Sequence, residues 1–280
     1  MNIKDTLNSG LKILKNFNIN NSILDSEILL AKAIKKNRQY IVLNSQKNLN
    51  RNSLKIFFDL IERRKRGEPI AYLTNKKEFW NETFYTDRNV LIPRPDTEIV
   101  LEELLKISSR RFQKQVLDIG IGSGCILLSL LKERPNYHGT GIDICKNSIN
   151  VSKYNAKMLH LKNRIKFFHS SIDNFNFGKY DIVVSNPPYI KFLKLKYLDK
   201  DVFRYEPKLA LNGGLDGFSI IRKVIEKTSK LIKKKGKFVL EIGSNQKNKV
   251  KEILKEKGFY VNKTLKDYGK NFRCIVSTKI

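Results

Sequence analysis

At 280 residues the chain is long enough for one large domain, or for a large domain and a small one. Its hydrophobic content of 41% excludes wholesale disorder, and no apolar stretch is long enough to span a bilayer. The three cysteines show no metal spacing and the N-terminus lacks the apolar core of a signal peptide. We therefore expect a reducing, cytoplasmic compartment, no membrane association and no metal site.

The net charge of +28 has two interpretations. It attracts RNA, ribosomes or another acidic partner, in which case some nonspecific RNA affinity follows. Alternatively it is compositional drift, because lysine, asparagine and isoleucine recur throughout the sequence. The charge is spread along the chain and forms no long basic tail, so the sequence leaves both interpretations open.

Residues 1–69 are predicted to form a helical domain, because apolar residues recur there at three-to-four spacing. The predicted helices cover 3–17, 22–35, 38–44 and 53–66. Asn21 or Ser22 is expected to cap the second helix, and Pro69 ends the fourth.

Residues 70–96 are predicted to be a β-hairpin connector, since aromatic and apolar residues alternate there with turn formers. Pro93-Arg94-Pro95 follows, with Asp96 or Thr97 expected to cap a helix over 98–107.

Residues 97–280 are predicted to form an α/β domain in which strands and helices alternate from 114 onward. The predicted strands are 114–119, 137–143, 164–168, 180–185, 236–241, 258–264 and 272–278. The predicted helices are 123–133, 146–158, 216–233 and 245–257. This order indicates a parallel sheet with helices on both faces, ending in an antiparallel hairpin at one edge.

A glycine loop follows the first of these strands. The loop is Gly120-Ile121-Gly122-Ser123-Gly124, and a helix is expected to begin near Ser123. Glycines let a ligand approach the backbone, and a helix N-terminus presents free N–H groups. The spacing lacks the third glycine of the dinucleotide fingerprint, so a purely structural turn remains an alternative.

Asp143 ends the next strand, about twenty residues after the glycine loop. An acid at that position is placed to accept hydrogen bonds from a ribose. The alternative is an aspartate that caps the helix beginning at Lys146. The glycine loop favours the ribose interpretation.

The motif Asn186-Pro187-Pro188-Tyr189 follows a short apolar strand. The two prolines have no N–H group, so carbonyl oxygens stay available beside an asparagine amide and an aromatic ring. Two acceptors and a ring suit a planar NH2 group. The motif therefore predicts chemistry at an amide or amino nitrogen without selecting which one.

Together these features resemble the S-adenosylmethionine-dependent methyltransferases of the Rossmann-like class, in their amino-methylating branch. The resemblance covers residues 114–280 and implies a seven-stranded methyltransferase domain with S-adenosyl-L-methionine as cofactor. It implies that Gly120, Ile121, Gly122, Ser123, Gly124, Asp143, Ser171 and Asn186 bind the cofactor. It also implies that Asn186, Pro187, Pro188 and Tyr189 bind the substrate, with Asn186, Pro187 and Tyr189 as the catalytic residues.

A narrower resemblance, to the release-factor N5-glutamine methyltransferases (the PrmC/HemK family), runs from about residue 63 to the C-terminus. It is carried by 67–73, 78–80, 91–98, 205–217, 241–243 with Gln246, and 267–269 with Arg273. The sequence departs from the family at Asn75, where glycine is usual, and at Ser170-Ser171-Ile172 beside the expected adenine pocket. Because asparagine tolerates positive φ, the turn at Asn75 is expected to survive.

This resemblance implies methylation of a glutamine amide in the GGQ motif of peptide chain release factors, with the helical domain recognising the substrate. Three alternatives stay open: a glutamine methyltransferase acting on a ribosomal protein, a nucleic-acid amino methyltransferase, and a non-enzymatic RNA-binding protein. No target-recognition domain for nucleic acid is evident. The intact glycine loop, Asp143 and Asn186 argue against a decayed enzyme.

Overall fold

The computed structural model describes all residues, 1–280, and the chain divides into two units. The helical unit consists of Met1–Lys76 together with Asp199–Tyr205, and the sheet unit of Lys77–Leu198 together with Glu206–Ile280. This division differs from the predicted one in two respects. The helical unit extends to residue 76, and it takes in a short segment from the second half of the chain.

The helices, in chain order, are α1 Ile3–Asn16, α2 Ser22–Ile34, α3 Arg38–Leu43, α4 Arg51–Lys65, α5 Ile70–Thr74, α6 Glu98–Ile107, α7 Cys125–Glu133, α8 Lys146–Met158, α9 Lys200–Tyr205, α10 Ser219–Leu231 and α11 Lys247–Glu256. The strands are β1 Lys77–Phe79, β2 Glu82–Phe84, β3 Lys114–Ile119, β4 Tyr137–Asp143, β5 Ile165–His169, β6 Tyr180–Ser185, β7 Ile232–Glu241, β8 Phe259–Lys266 and β9 Phe272–Lys279. None of the helices is both long and apolar enough to cross a bilayer.

Asparagine caps three helices of the helical unit. The side chains of Asn2, Asn37 and Asn50 accept hydrogen bonds from backbone N–H groups in the first turns of α1, α3 and α4. The predicted cap of α2 was wrong: Asn21 makes no side-chain capping bond, and the Ser22 hydroxyl donates to the Ile19 carbonyl instead.

The core of the helical unit is built from the apolar stripes that predicted its helices. Leu14, Leu29, Phe57 and Ile61 are fully buried in it. Leu73 of α5 joins the same core, which explains why a helix forms where the sequence had predicted the start of the connector. Asn75 ends α5 with a φ of 58°, so the turn expected there is present.

The predicted hairpin is confirmed, but it is short. β1 and β2 pair antiparallel, and Phe79 and Phe84, at their ends, are buried in one of the two cores of the sheet unit. The aromatic residues that signalled the hairpin are therefore those that anchor it.

A seven-stranded sheet forms the centre of the sheet unit, in the order β5-β4-β3-β6-β7-β9-β8. β3 to β7 are parallel, and β9 runs antiparallel to both β7 and β8. Both predictions are confirmed: the parallel sheet and its antiparallel hairpin, in which β8 is the edge strand.

The order of the strands positions the site. The chain starts at β3 in the middle, moves outward to β4 and β5, and then returns to β6 on the other side of β3. Ligands of open α/β sheets bind at such a reversal, beyond the carboxyl ends of the strands. Asp118, Asp143 and Asn186 all lie at or next to this edge.

Candidate active site

A cavity of about 480 Å³ lies at this edge of the sheet. Its walls come from the glycine loop, the ends of β4 and β6, the segment before α6, the 170–173 loop and the start of α10. A volume of this size suits a small-molecule cofactor and a substrate side chain.

The glycine loop turns its backbone toward open space at two positions. Gly120 and Gly122 have φ values of 78° and 54°. A Cβ added at Gly120 would meet no atom within 4 Å, and one at Gly122 only a backbone oxygen at 4.0 Å. A bound group can therefore approach the bare backbone here.

Gly124 has a different role. Its φ is 84°, and an added Cβ would lie 2.8 Å from the Leu128 side chain. It does not line the cavity but lets α7 pack closely against the loop. The helix begins at Cys125, two residues later than the sequence predicted.

Asp143 is held by the loop that it faces. Its Oδ2 accepts from the Gly122 N–H at 3.0 Å and its Oδ1 from the Cys145 N–H at 2.8 Å. Burial raises the pKa of Asp143, and these two hydrogen bonds oppose that rise. Since an ionised carboxylate has about four acceptor positions, it can hold the loop and still accept from a ribose.

Asn186 follows β6, and its Nδ2 donates to the Thr97 hydroxyl at 3.3 Å. Asn186, Pro187 and Pro188 all line the cavity. The structure thus brings these residues to the same cavity as the glycine loop and Asp143, although the loop and Asn186 are more than sixty residues apart.

Tyr189 is not among the residues that line the cavity. Its ring lies beside Gly243, where an added Cβ would be 3.2 Å from it, and its carbonyl accepts from Gln246 Nε2 at 3.3 Å. Burial raises the pKa of Tyr189 above its usual range. The ring therefore lies beside Gly243 and packs against the core of the sheet unit, and its packing on the substrate stays a prediction.

The 170–173 loop lines the cavity although its sequence departs from the family. The Ser170 N–H donates to the Asp143 carbonyl at 3.0 Å, which ties the loop to the end of β4. Ser171 Oγ accepts from the Asn174 N–H at 3.3 Å and keeps a second lone pair for a ligand.

Sequence reasoning missed several residues at this site. Thr97 and Asp118 line the cavity, and Glu241 is buried behind it. The sequence did contain a signal for Asp118 and Glu241. Each is a carboxylate at or near the end of an apolar strand, and a carboxylate is almost never buried there without a reason. Thr97 had been assigned to capping, but it makes no capping bond.

Glu206 anchors the segment that returns to the cavity. It accepts from the Arg94 guanidinium and from the Ile92 N–H, the latter at 3.3 Å. Burial raises its pKa, and the Arg94 charge opposes that effect. The pair fixes Pro93-Arg94-Pro95 at the rim of the cavity, where Pro93 and Arg94 are lining residues.

A family model indicates the class of protein, and two solved structures share its fold. A methyltransferase small domain model matches residues 95–204. A ribosomal protein L11 methylase from Lactobacillus delbrueckii subsp. bulgaricus superposes with a TM-score of 0.51 and 15% identity, covering 73% of this chain and 89% of that one. A methyltransferase from Pyrococcus furiosus gives a TM-score of 0.51 and 19% identity, covering 70% and 88%. The chain is an S-adenosylmethionine-dependent methyltransferase.

Full-length relatives narrow the class to a family. A PrmC N-terminal domain model matches residues 5–74. Release factor glutamine methyltransferases from Clostridium acetobutylicum and from Buchnera aphidicola subsp. Schizaphis graminum are 39% and 37% identical, each over 100% of this chain and 99% or 100% of the relative. A bifunctional methyltransferase from Rickettsia bellii is 34% identical over 98% of this chain, which spans 54% of that longer protein. The chain belongs to the release factor glutamine methyltransferase family.

Proposed function

We propose that this protein methylates the side-chain amide nitrogen of a glutamine in the GGQ motif of peptide chain release factors. The observation that carries the proposal is the cavity wall made by Asn186, Pro187 and Pro188, in which the two prolines have carbonyl acceptors and no backbone donor. The names of the full-length relatives support the acceptor assignment.

We propose that the cofactor is held by Gly120, Ile121, Gly122, Ser123, Asp143, Ser171 and Asn186, with Gly124 supporting the loop through its packing on α7. The bare backbone at Gly120 and Gly122 supports this assignment, because no side chain stands between it and the cavity. When bound, S-adenosylmethionine supplies the methyl group from its sulfonium centre.

A glutamine amide nitrogen is a poor nucleophile, because its lone pair is delocalised into the carbonyl. We propose that Asn186 Oδ1 and the Pro187 carbonyl oxygen accept hydrogen bonds from its two N–H groups. This geometry localises the lone pair on the amide nitrogen. Orientation and fixed dipoles then supply most of the catalysis. The methylated nitrogen carries one proton in excess, which is strongly acidic and passes to water without a dedicated base.

The test of the proposed substrate is a transfer assay with labelled S-adenosylmethionine. Release factor, ribosomal proteins, ribosomal RNA and duplex DNA are incubated separately with the protein. We expect label in the release factor alone, and its loss when the glutamine of the GGQ motif is replaced by alanine. Label in nucleic acid or in a ribosomal protein instead would replace this substrate assignment by one of the alternatives.

The test of the mechanism is Asn186→Ala. We expect kcat to fall roughly 10²- to 10³-fold, as when one preorganised polar group is removed from an active site. Cofactor affinity, measured by calorimetry, should fall far less than kcat, because the other proposed cofactor-binding residues are intact. A normal kcat would refute the role of Asn186.

We also propose a reducing, cytoplasmic compartment. All three cysteines are free thiols, and Cys125 and Cys145 both line the cavity. Oxidation at either position would place a bulky or cross-linked sulfur in the proposed cofactor site.

A further inference from the structure

The amide of Asn186 poses a problem of orientation. Its oxygen and its nitrogen are nearly the same size, so the side chain fits equally well either way round. Only the oxygen can accept a hydrogen from a substrate amide. Something must therefore hold the Asn186 amide with Oδ1 toward the substrate.

Thr97 binds the nitrogen end of the Asn186 amide. Its Oγ1 accepts from Asn186 Nδ2 at 3.3 Å, and the side chain is 3% exposed. Although Thr97 stands at the N-cap position of α6, it makes no side-chain capping bond. Its hydroxyl therefore serves the site, and the hydroxyl hydrogen needs an acceptor of its own.

Glu241 is the buried carboxylate placed to be that acceptor. It is the last residue of β7, 2% exposed, and it directly follows Leu240, which pairs with Ser185 next to Asn186. Its Oε2 is buried and has no hydrogen-bond partner, and the neighbouring Thr97 and Asn186 side chains lower the pKa of this carboxyl. Burying a carboxylate with so few hydrogen-bond partners costs folding free energy, which indicates a functional constraint on this position.

We infer that Glu241 and Thr97 are positioning residues that turn Asn186 Oδ1 toward the substrate, an inference that rests on the proposed role of Asn186. An ionised carboxylate can only accept. Thr97 must then donate to it and present a lone pair to Asn186, so Asn186 must present its NH2 group to Thr97. The negative charge of Glu241 thus sets the direction of the hydrogen bonds from Thr97 to Asn186 and from there to the substrate.

The ionisation of Glu241 supports a pH-dependent readout. Burial raises its pKa to about 7, and the Thr97 hydroxyl and the Arg273 charge oppose that rise. The other titratable groups that interact with it are Asp96, Tyr189, Cys125 and Cys274. Below pH 7 the carboxyl gains a hydrogen and can itself donate, so the direction of the relay is lost and kcat should fall.

Stability should depend on pH in the opposite sense. A carboxyl whose pKa is raised by folding stabilises the native state below its unfolded pKa, and that contribution is lost as pH rises through the folded value of about 7. At pH 8 a glutamine at this position removes a buried charge. Glu241→Gln should therefore melt no lower than the wild type at pH 8, although it is less active.

The experiment compares kcat, cofactor affinity and melting temperature at pH 8. We expect Glu241→Gln to lower kcat roughly 10- to 100-fold, the loss of a directed hydrogen bond, with cofactor affinity within about twofold. Its residual kcat should be flat between pH 6 and 8. Thr97→Val should lose as much, Thr97→Ser should retain activity, and the double variant Thr97→Val with Glu241→Gln should be no worse than either single variant.

The matched control is Glu103→Gln, a buried carboxylate on α6 that pairs with Lys106 and Lys263. It should lower the melting temperature and leave kcat unchanged. Wild-type kcat in Glu241→Gln, or additive losses in the double variant, would overturn the inference.

A second readout separates the relay from the proposed substrate. The side-chain amide signals of Asn186, followed by NMR without substrate, should shift or broaden in Glu241→Gln. Unchanged signals would overturn the relay whatever the substrate is. By contrast, a wild-type protein that does not label the release factor refutes the proposed function and leaves the NMR result to decide the relay.

Discussion

Two carboxylates, Asp118 and Asp143, lie at or next to the ends of neighbouring strands at the cavity, and their surroundings make them chemically different. Asp118 is buried, and burial, with the Asp143 charge adding to it, raises its pKa to about 8. Asp143 has two N–H donors that favour its ionised form. Burial therefore favours the protonated form of Asp118, whereas at Asp143 the two N–H donors oppose the effect of burial on the pKa.

Asp143→Ala should weaken cofactor binding by about 1–3 kcal/mol through the lost ribose hydrogen bonds. The measurement is calorimetric titration with S-adenosylmethionine near pH 7, with the melting temperature recorded because the Gly122 and Cys145 N–H groups lose their acceptor. Asp118→Asn is the control: it mimics the protonated acid and should change affinity less. Unaltered affinity in Asp143→Ala would exclude this residue from the cofactor site.

At the scale of elements, the segment 190–215 lies in the long connection between β6 and α10. The segment begins just after the turn at Asn186 to Tyr189, and its two ends lie side by side. The Ile190 N–H donates to the Leu211 carbonyl at 3.1 Å. Between these ends lies α9, which belongs to the helical unit. There Asp201 pairs with Arg64 of α4 at 3.0 Å, and Arg64 also binds Asp25 of α2 at 2.7 Å. One arginine thus fastens three helices of the helical unit.

Arg64→Met should lower the free energy of unfolding of the helical unit by about 3–5 kcal/mol, because it leaves the buried Asp25 without a counter-charge. The control is Arg38→Met, which breaks an exposed pair with Glu27 and should cost less than about 1 kcal/mol. Urea unfolding followed by circular dichroism and hydrogen exchange measures both. Equal effects would contradict the assignment of Arg64 as a fastening residue.

At the scale of the whole molecule, lysines gather at the edge of the sheet opposite to the cavity. Lys233, Lys234 and Lys235 are exposed at the start of β7. Lys114 opens β3, and both it and Lys233 pair with Asp181, at 3.7 Å and 3.0 Å. We call the group Lys114, Lys233, Lys234 and Lys235 the basic edge. The basic edge allows a test of whether the net charge of +28 is functional or is compositional drift.

If the basic edge binds polyanions, replacing Lys233, Lys234 and Lys235 together by glutamine should weaken RNA binding and make its dependence on salt shallower by a slope of about 2. The control replaces three exposed lysines of α1, Lys4, Lys12 and Lys15, which removes the same charge. Fluorescence anisotropy with RNA at several salt concentrations measures both. Equal changes in RNA binding in the two variants would mean that the affinity depends on total charge and not on the basic edge, as compositional drift predicts.

Much of the fold was predictable because the pattern of apolar residues dictates it. β3, β4, β6 and α8 have the predicted bounds, and most other elements differ by only a few residues. Two of the failures depend on tertiary neighbours: Thr97 accepts a hydrogen bond from Asn186 instead of capping α6, and Leu73 of α5 packs in the core of the helical unit. At Asn21 the cause is local, because the Ser22 hydroxyl bonds to the Ile19 carbonyl.

By itself the sequence determined the chemistry at each strand end: the glycine loop, Asp143 and the acceptors of Asn186 to Pro188. Local rules suffice there, because a turn needs glycine or proline whatever surrounds it. Only the tertiary structure decided that Thr97 bonds to Asn186, that the buried Glu241 interacts with both, and that the Tyr189 ring lies beside Gly243. Thr97 precedes α6, Asn186 follows β6 and Glu241 ends β7, and the register of β6 against β7, set by non-local packing, brings the last two together.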